Sequence, residues 1–162
     1  MAGYGDNAGF TTYAIEQGAT LPAGATADQI TAARQRGAMV VDRAEPRFTG
    51  TRTGGYAQER AWPREGAITA WGETIASSVI PEPIIRAGYE AALIELVSPG
   101  SLSPVVIGNA IAKREKAGSL EVEYAAAGTP ADLIAAAIPV VTTIDGLIRP
   151  FLNPPQPAVM VV

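Results

Sequence analysis

The most promising pair of reactive groups is Glu121 and Glu123, two positions apart in a segment where apolar and charged residues alternate. On a β-strand these two carboxylates face the same side, and paired carboxylates can act as general acid and base. Alternating glutamates on the solvated face of a strand far more often keep a sheet soluble and prevent unwanted pairing. We therefore expect a solvated strand face at these positions and no catalytic pair.

Other reactive groups are absent or lack the context that their chemistry needs. The chain has neither cysteine nor histidine, which excludes disulfides, thiolate zinc sites and histidine bases. The glycines from Gly50 to Gly55 are not followed by the Lys-Ser/Thr pair of a phosphate-binding loop. A solvated hairpin rim is the expected position of Lys113, Glu115 and Lys116. The sequence therefore predicts no enzyme, no cofactor and no metal.

The composition indicates one soluble domain. A chain of 162 residues can bury a core without metal or disulfide help. Its net charge is -4, from 12 basic and 16 acidic residues, which is the wrong sign for a protein that neutralises phosphates. No apolar run reaches the roughly 18 residues of a membrane span, and the N-terminus lacks a secretory pattern. We expect synthesis in the cytoplasm and no membrane partner.

Apolar residues at helical spacing, together with capping signals, predict a mainly α fold: a bundle of about four to five helices. Phe10, Tyr13 and Ile15 fix a short first helix, which Asn7 or Asp6 caps and Gly18 ends. A second helix is predicted from about Ala27 to Ala44, behind a Thr26/Gln29 capping box, and a third opens at Pro81 and runs to Leu96. A short alanine-rich helix is predicted after Thr129. The closing helix is predicted to place Ile144, Leu147, Ile148 and Phe151 inward.

The helix after Pro81 is predicted to be the centre of the core. Its apolar face includes Ile84, Tyr89 and Leu96, while Glu95 is expected to point away from that face. Small residues from Ala87 to Ala92 allow a neighbouring helix to approach closely. Residues 47–66 have a loop composition, and Trp62, held extended by Pro63, should anchor this loop to the core. The predicted core anchors are Trp62, Ile84, Tyr89 and Leu96.

Two further elements lie towards the C-terminus. Leu120, Val122 and Tyr124 alternate with glutamates and predict a strand that pairs with residues 110–116 through a turn at Gly118, giving a small antiparallel β-hairpin. After the helical domain of residues 1–152, which includes this hairpin near residues 110–125, we expect residues 153–162 to form an extended, proline-rich arm. Its apolar end invites binding to a partner.

The order of these segments resembles the head-tail connector (adaptor) proteins of long-tailed bacteriophages, some of which are labelled DnaT-like, single-stranded-DNA-binding proteins. The resemblance covers about residues 10–152, and it departs from the family at residues 18–24 and in the long tail. It rests on these features in order: a helix ending near Ala44, an Arg/Gly loop, Gln58 with Trp62-Pro63-Arg64, Ile80-Pro81 before a helix with Ala87 and Glu90, the hairpin from Lys113 to Tyr124, and a closing segment from Ile144 to Leu152.

The resemblance implies a structural virion protein at the neck, made in the bacterial host cytoplasm. It implies a homo-oligomeric, dodecameric ring beneath the portal protein that extends the DNA channel and receives the next neck or tail-completion protein. Genomic DNA would pass without sequence-specific binding. The predicted portal-docking residues are Phe151, Leu152, Pro154, Pro155, Val159, Met160, Val161 and Val162, and the predicted subunit or ring interface comprises Arg52, Tyr56, Lys113, Glu115, Glu121 and Glu123.

Two other functions stay open. A single-stranded-DNA-binding module would need a basic groove with stacking aromatic residues, whereas the chain has 3 Phe, 2 Trp and 5 Tyr under a net negative charge. A small-molecule enzyme would need a pocket with convergent polar groups, which a sequence does not show. Of the three, the connector function accounts best for the order of the segments.

Overall fold

The computed structural model describes residues 3–103, 114–117, 120–123 and 141–153. It shows a mainly α protein with a small antiparallel β-hairpin, as the sequence predicted. The α-helices are α1 (Asn7–Glu16), α2 (Ala27–Asp42), α3 (Glu82–Val97) and α4 (Thr142–Ile148), and 3-10 turns span Glu45–Arg47, Gly55–Ala57 and Arg149–Phe151. The strands are β1 (Thr51–Arg52), β2 (Arg64–Glu65), β3 (Arg114–Ala117) and β4 (Leu120–Glu123).

The chain divides into two compact units. Unit 1 comprises residues 1–99 and 141–162, and unit 2 comprises residues 100–140. In unit 2, β3 pairs with β4 in an antiparallel register that places Arg114 opposite Glu123, so the predicted hairpin is present. The predicted helix after Thr129 and the arm from Pro154 onward lie outside the described residues, and the predicted domain boundary stays a prediction.

The starts of α1 and α2 follow the capping signals of the sequence. The Asp6 carboxylate accepts the Gly9 N–H at 2.7 Å and caps α1. At α2 the Gln29 N–H donates to the Thr26 hydroxyl at 3.2 Å, and the Thr26 N–H donates back to the Gln29 side chain at 2.9 Å. This is the predicted capping box, which satisfies donors that a helix start leaves without partners. The helix ends at Asp42, two residues earlier than predicted.

The centre of unit 1 is the close contact of α2 with α3. Gly37 of α2 lies directly against the backbone of Gly88 and Ala92 on α3. Phe10, Tyr13, Ala33, Tyr89 and Ala92 form one buried cluster around this contact. The small residues of α3 therefore receive a neighbouring helix, as their spacing predicted.

Of the three residues expected to fix the first helix, Phe10 and Tyr13 are buried, whereas Ile15 is 71% exposed. A prediction about a side chain on α3 is wrong. Glu95, expected to point away from the core, is only 1% exposed and accepts a 2.9 Å hydrogen bond from Arg36. A buried carboxylate needs such a cationic partner, and that partner lies on α2, far away in the sequence.

A second cluster of aromatic side chains joins the loop after α2 to the closing segment. The ring of Trp62 packs edge-on against Phe48 at 5.6 Å and Phe151 at 5.7 Å between centroids. Residues 47–49 and 151–153 also pair through their backbones, with Thr49 N–H donating to Phe151 O at 3.0 Å and Asn153 N–H to Arg47 O at 2.7 Å. The loop of residues 47–66 is thus held against the closing segment through residues 47–49 and through Trp62. Its strands β1 and β2 were not predicted.

Candidate interaction surface

Arg64 organises the loop between α2 and α3 from inside. Its buried guanidinium donates to the carbonyl oxygens of Thr49 at 2.7 Å, Ala61 at 3.1 Å and Gly50. It also lies 3.6 Å from a Glu45 carboxylate oxygen and 5.9 Å from the Phe48 ring centroid. Because three backbone oxygens depend on this one side chain, Arg64 replaces the hydrogen bonds that a regular sheet would supply.

Two more arginines tie the same loop to its surroundings. Arg52 forms a bidentate ion pair with Glu45 and donates to Gln58 O. Arg60 pairs with Asp42 at 3.2 Å at the end of α2, and Asp42 also accepts the Tyr4 hydroxyl. Burial raises the pKa of Tyr4 far above its ordinary value, which keeps this hydroxyl a donor. The predicted interface residue Arg52 therefore has an internal partner.

The two arginines of α2 complete the pattern. The Arg34 guanidinium is buried and donates to Asn7 at 2.8 Å and to the carbonyl oxygens of Tyr4 and Gly5. Arg36 pairs with buried Glu95 at 2.9 Å. Internal contacts of these arginines therefore help to hold the fold together. Sequence reasoning missed these roles because their partners lie in other segments.

The Glu45 ion pair makes the free energy of unfolding depend on pH. Hydrogen bonds from Arg52 hold the pKa of Glu45 below its usual range. A depressed pKa stabilises the fold above the unfolded-state value of about 4.3, and that stabilisation is lost as the pH falls through the folded-state value. Glu45→Gln should therefore be less stable than the wild type at neutral pH, and the difference should shrink at about pH 3. Urea unfolding of both proteins at both pH values measures this difference in stability. A difference that stays constant between the two pH values would contradict the stabilising role of the Glu45 ion pair.

Among the aromatic residues that the structure describes, Tyr56 and Trp71 alone are exposed. Tyr56 lies in the Gly55–Ala57 turn, which Gln58 secures by accepting the Gly54 N–H at 2.8 Å and donating to Arg60 O at 2.7 Å. Trp71 is 75% exposed on a separate turn, whereas Trp62 is 1% exposed. Trp71 did not figure in the predicted site, since sequence does not tell an anchoring tryptophan from an exposed one.

The predicted site residues fall into three groups. Phe151 and Leu152, assigned to portal docking, are buried in unit 1, as are the core anchors Trp62, Ile84 and Tyr89, while Leu96 is partly buried. Arg52 and Tyr56 lie on the loop between α2 and α3. Of the hairpin residues Glu115, Glu121 and Glu123, the structure describes the backbone alone. The other predicted residues lie outside the described residues: Lys113, Pro154, Pro155, Val159, Met160, Val161 and Val162.

One cavity of unit 1, of about 370 Å³, lies against α1 and α3 and is lined by Asp6, Glu16, Glu82 and Arg86 among others. Asp6 caps α1, and Arg86 pairs with Glu82 at 3.1 Å. Within the described ranges no three histidine, cysteine, aspartate or glutamate side chains could hold a metal ion together. In that same part of the chain no helix has the length and apolar character to cross a membrane.

In the described residues the fold is that of a small helical protein in which several arginines hold the loop between α2 and α3, and the exposed aromatic residues lie on two turns. The chain belongs to the family described as "Putative DnaT-like ssDNA binding protein", whose pattern it matches over residues 3–162. No curated protein and no solved structure shows significant similarity to the chain.

Proposed function

We propose that this protein binds single-stranded DNA with modest affinity and without sequence preference. The observation that carries the proposal is the family match over residues 3–162. The exposed aromatic residues Tyr56 and Trp71 support it, because unpaired bases stack on aromatic side chains whatever their sequence. The net charge of -4 and the internal pairing of several arginines limit the number of phosphate contacts, and therefore the affinity.

Titration of the full chain into labelled oligonucleotides tests this function. Fluorescence anisotropy should show saturable binding to a thymine homo-oligonucleotide and weaker binding to a duplex of the same length. Because few phosphates are neutralised, binding should weaken only gently as salt is raised. Absence of saturable binding at low salt, or equal affinity for duplex and single strand, would overturn the proposal.

A second candidate function is the head-tail connector of a long-tailed bacteriophage. The order of the sequence segments favours it, as does the use of Arg34, Arg60 and Arg64 inside the fold. A channel that DNA passes through should not hold phosphates tightly, and an acidic chain suits that task. The ring, the portal protein, the next neck protein and a location in the virion neck all belong to this candidate.

Electron microscopy of portal rings mixed with the purified protein tests the connector function. A ring of density added below the portal would establish the connector function. An unchanged portal, together with oligonucleotide binding, would leave DNA binding as the remaining candidate. This experiment separates the two candidates because each predicts a different partner.

The predicted C-terminal arm gives the connector function a second test. Asn153 is part of the fold, since its side-chain amide donates to Phe48 O at 3.2 Å and its N–H donates to Arg47 O. A truncation should therefore begin at Pro154. Removal of residues 154–162 should leave the unfolding midpoint within experimental error and abolish portal binding. Unaltered association of the truncated protein with the portal would refute docking through the arm.

A further inference from the structure

We infer that Trp71 is the stacking platform for an unpaired base, and that Arg149 contacts the neighbouring phosphate. This assignment rests on the proposed binding of single-stranded DNA and gives it a site. It starts from the turn formed by residues 67–75, called here the Trp71 turn. The chain carries 2 tryptophans, and their contrasting environments in one small fold require an explanation.

The Trp71 turn is closed by backbone hydrogen bonds. The Thr69 N–H donates to Glu73 O and the Gly72 N–H to Thr69 O, each at 2.9 Å, and Ile75 N–H donates to Ala67 O at 2.9 Å. Gly72 has a φ of 84°, a left-handed conformation that glycine adopts without strain. Trp71 is therefore presented by a closed turn, and little backbone freedom is lost when a ligand binds it.

The base of this turn is tied to the core at two points. The Thr49 hydroxyl donates to Ile68 O at 2.8 Å and accepts the Ile68 N–H at 3.1 Å. On the other side the Ala70 N–H donates to Pro150 O at 2.7 Å. These bonds fix the position of Trp71, yet its own side chain is left 75% exposed. A large exposed aromatic on a supported turn is the arrangement expected of a contact residue.

The charges near the turn favour stacking over phosphate capture. Arg149 is exposed and directly precedes Pro150, the residue bonded to Ala70. Glu73 is also exposed, two residues after Trp71, and Asp145 is exposed one helical turn before Arg149. One cation with two nearby carboxylates holds few phosphates. Binding should therefore come mostly from the indole ring, with one phosphate on the Arg149 side.

This balance predicts a shallow salt dependence. Each phosphate neutralised on a single strand contributes a slope of about -0.7 to the logarithm of affinity against the logarithm of salt concentration. With Arg149 as the one contact we expect a slope of about -0.7, and a slope near zero for Arg149→Ala.

Trp71→Ala should weaken binding of a thymine homo-oligonucleotide about fivefold or more, because stacking on one aromatic residue is worth at least that much. Trp71→Phe should restore most of the affinity, while Trp71→Leu, which is apolar but does not stack, should not. Ile15→Ala removes an equally exposed apolar side chain from α1 and serves as the matched control with unchanged affinity. Wild-type tryptophan emission should be quenched on binding, and that quenching should disappear in Trp71→Phe, since Trp62 is buried.

Three results would overturn the assignment. Oligonucleotide binding that is intact in Trp71→Ala would leave the proposed function standing and place the site elsewhere. Equal rescue by leucine and phenylalanine would show an apolar contact without stacking. Absence of wild-type oligonucleotide binding would remove the proposed function, and this site with it; a change in Trp71 emission on addition of portal rings alone would then identify the turn as a protein contact.

Discussion

Arg64→Ala should lower the free energy of unfolding by about 3–5 kcal/mol, the cost of leaving buried polar groups without a partner. The buried guanidinium serves Thr49 O, Ala61 O and Gly50 O at once. Alanine would leave the buried bonding sites at Thr49 O and Ala61 O without this donor and remove the cation above the Phe48 ring. Arg64→Lys should lose much of the same stability, since one ammonium does not reproduce the planar fork of donors. Urea unfolding followed by circular dichroism gives the free energies.

Arg86→Ala is the matched control for this prediction. Arg86 is exposed on α3 and pairs with Glu82 one turn earlier, at 3.1 Å. Such surface pairs contribute about 0.5 kcal/mol or less, so the same substitution should change stability little. Comparable losses in Arg64→Ala and Arg86→Ala would show that the buried network does not carry the loop between α2 and α3.

Gly37→Ala should destabilise the fold by about 2–3 kcal/mol, because an added methyl group overpacks a closed interface. A β-carbon at Gly37 would lie 2.7 Å from Ala92 N and closer still to Gly88 O. Both neighbours are backbone atoms of α3, so neither can turn aside as a side chain would. The helices would have to separate. The free-energy cost of this separation outweighs the roughly 1 kcal/mol by which alanine is a better helix former than glycine. Thermal and urea unfolding measure the change.

Gly146→Ala tests the same substitution where space is available. Gly146 lies within α4, and among the described residues a β-carbon there would meet no atom within 4 Å beyond its chain neighbours and the backbone of its own helix. Only helix propensity then acts, and the variant should be more stable by about 0.5–1 kcal/mol. Opposite signs at the two glycines support close packing of α2 against α3. A shift in the same direction for both would contradict it.

Much of the local structure could be predicted because its causes are local. The capping box at Thr26, the Pro81 start of α3 and the alternating strand at Leu120 each involve residues within a few positions of one another. The small residues of α3 likewise indicate a close helix contact without naming the partner. The identity of that partner, Gly37, requires the fold.

The candidate site was much less predictable. Trp62 and Trp71 lie nine positions apart in similar loop sequence, yet one fills the core and the other is exposed. The difference arises because Phe48 and Phe151 surround Trp62, whereas the Trp71 turn is held through backbone bonds to Thr49 and Pro150. Such contacts join residues as far apart as Trp62 and Phe151, and they leave no periodic signal in the sequence.

The sequence alone therefore determined the mainly α character, the starts of α1, α2 and α3, the hairpin and the lack of cysteine and histidine chemistry, since these follow from composition and short-range spacing. Only the tertiary structure decided how the charges are used. It placed Glu95 in the core beside Arg36 and gave Arg64 three backbone carbonyls to hold. A charged residue is solvated or structural according to which distant groups reach it, and folding alone brings those groups together.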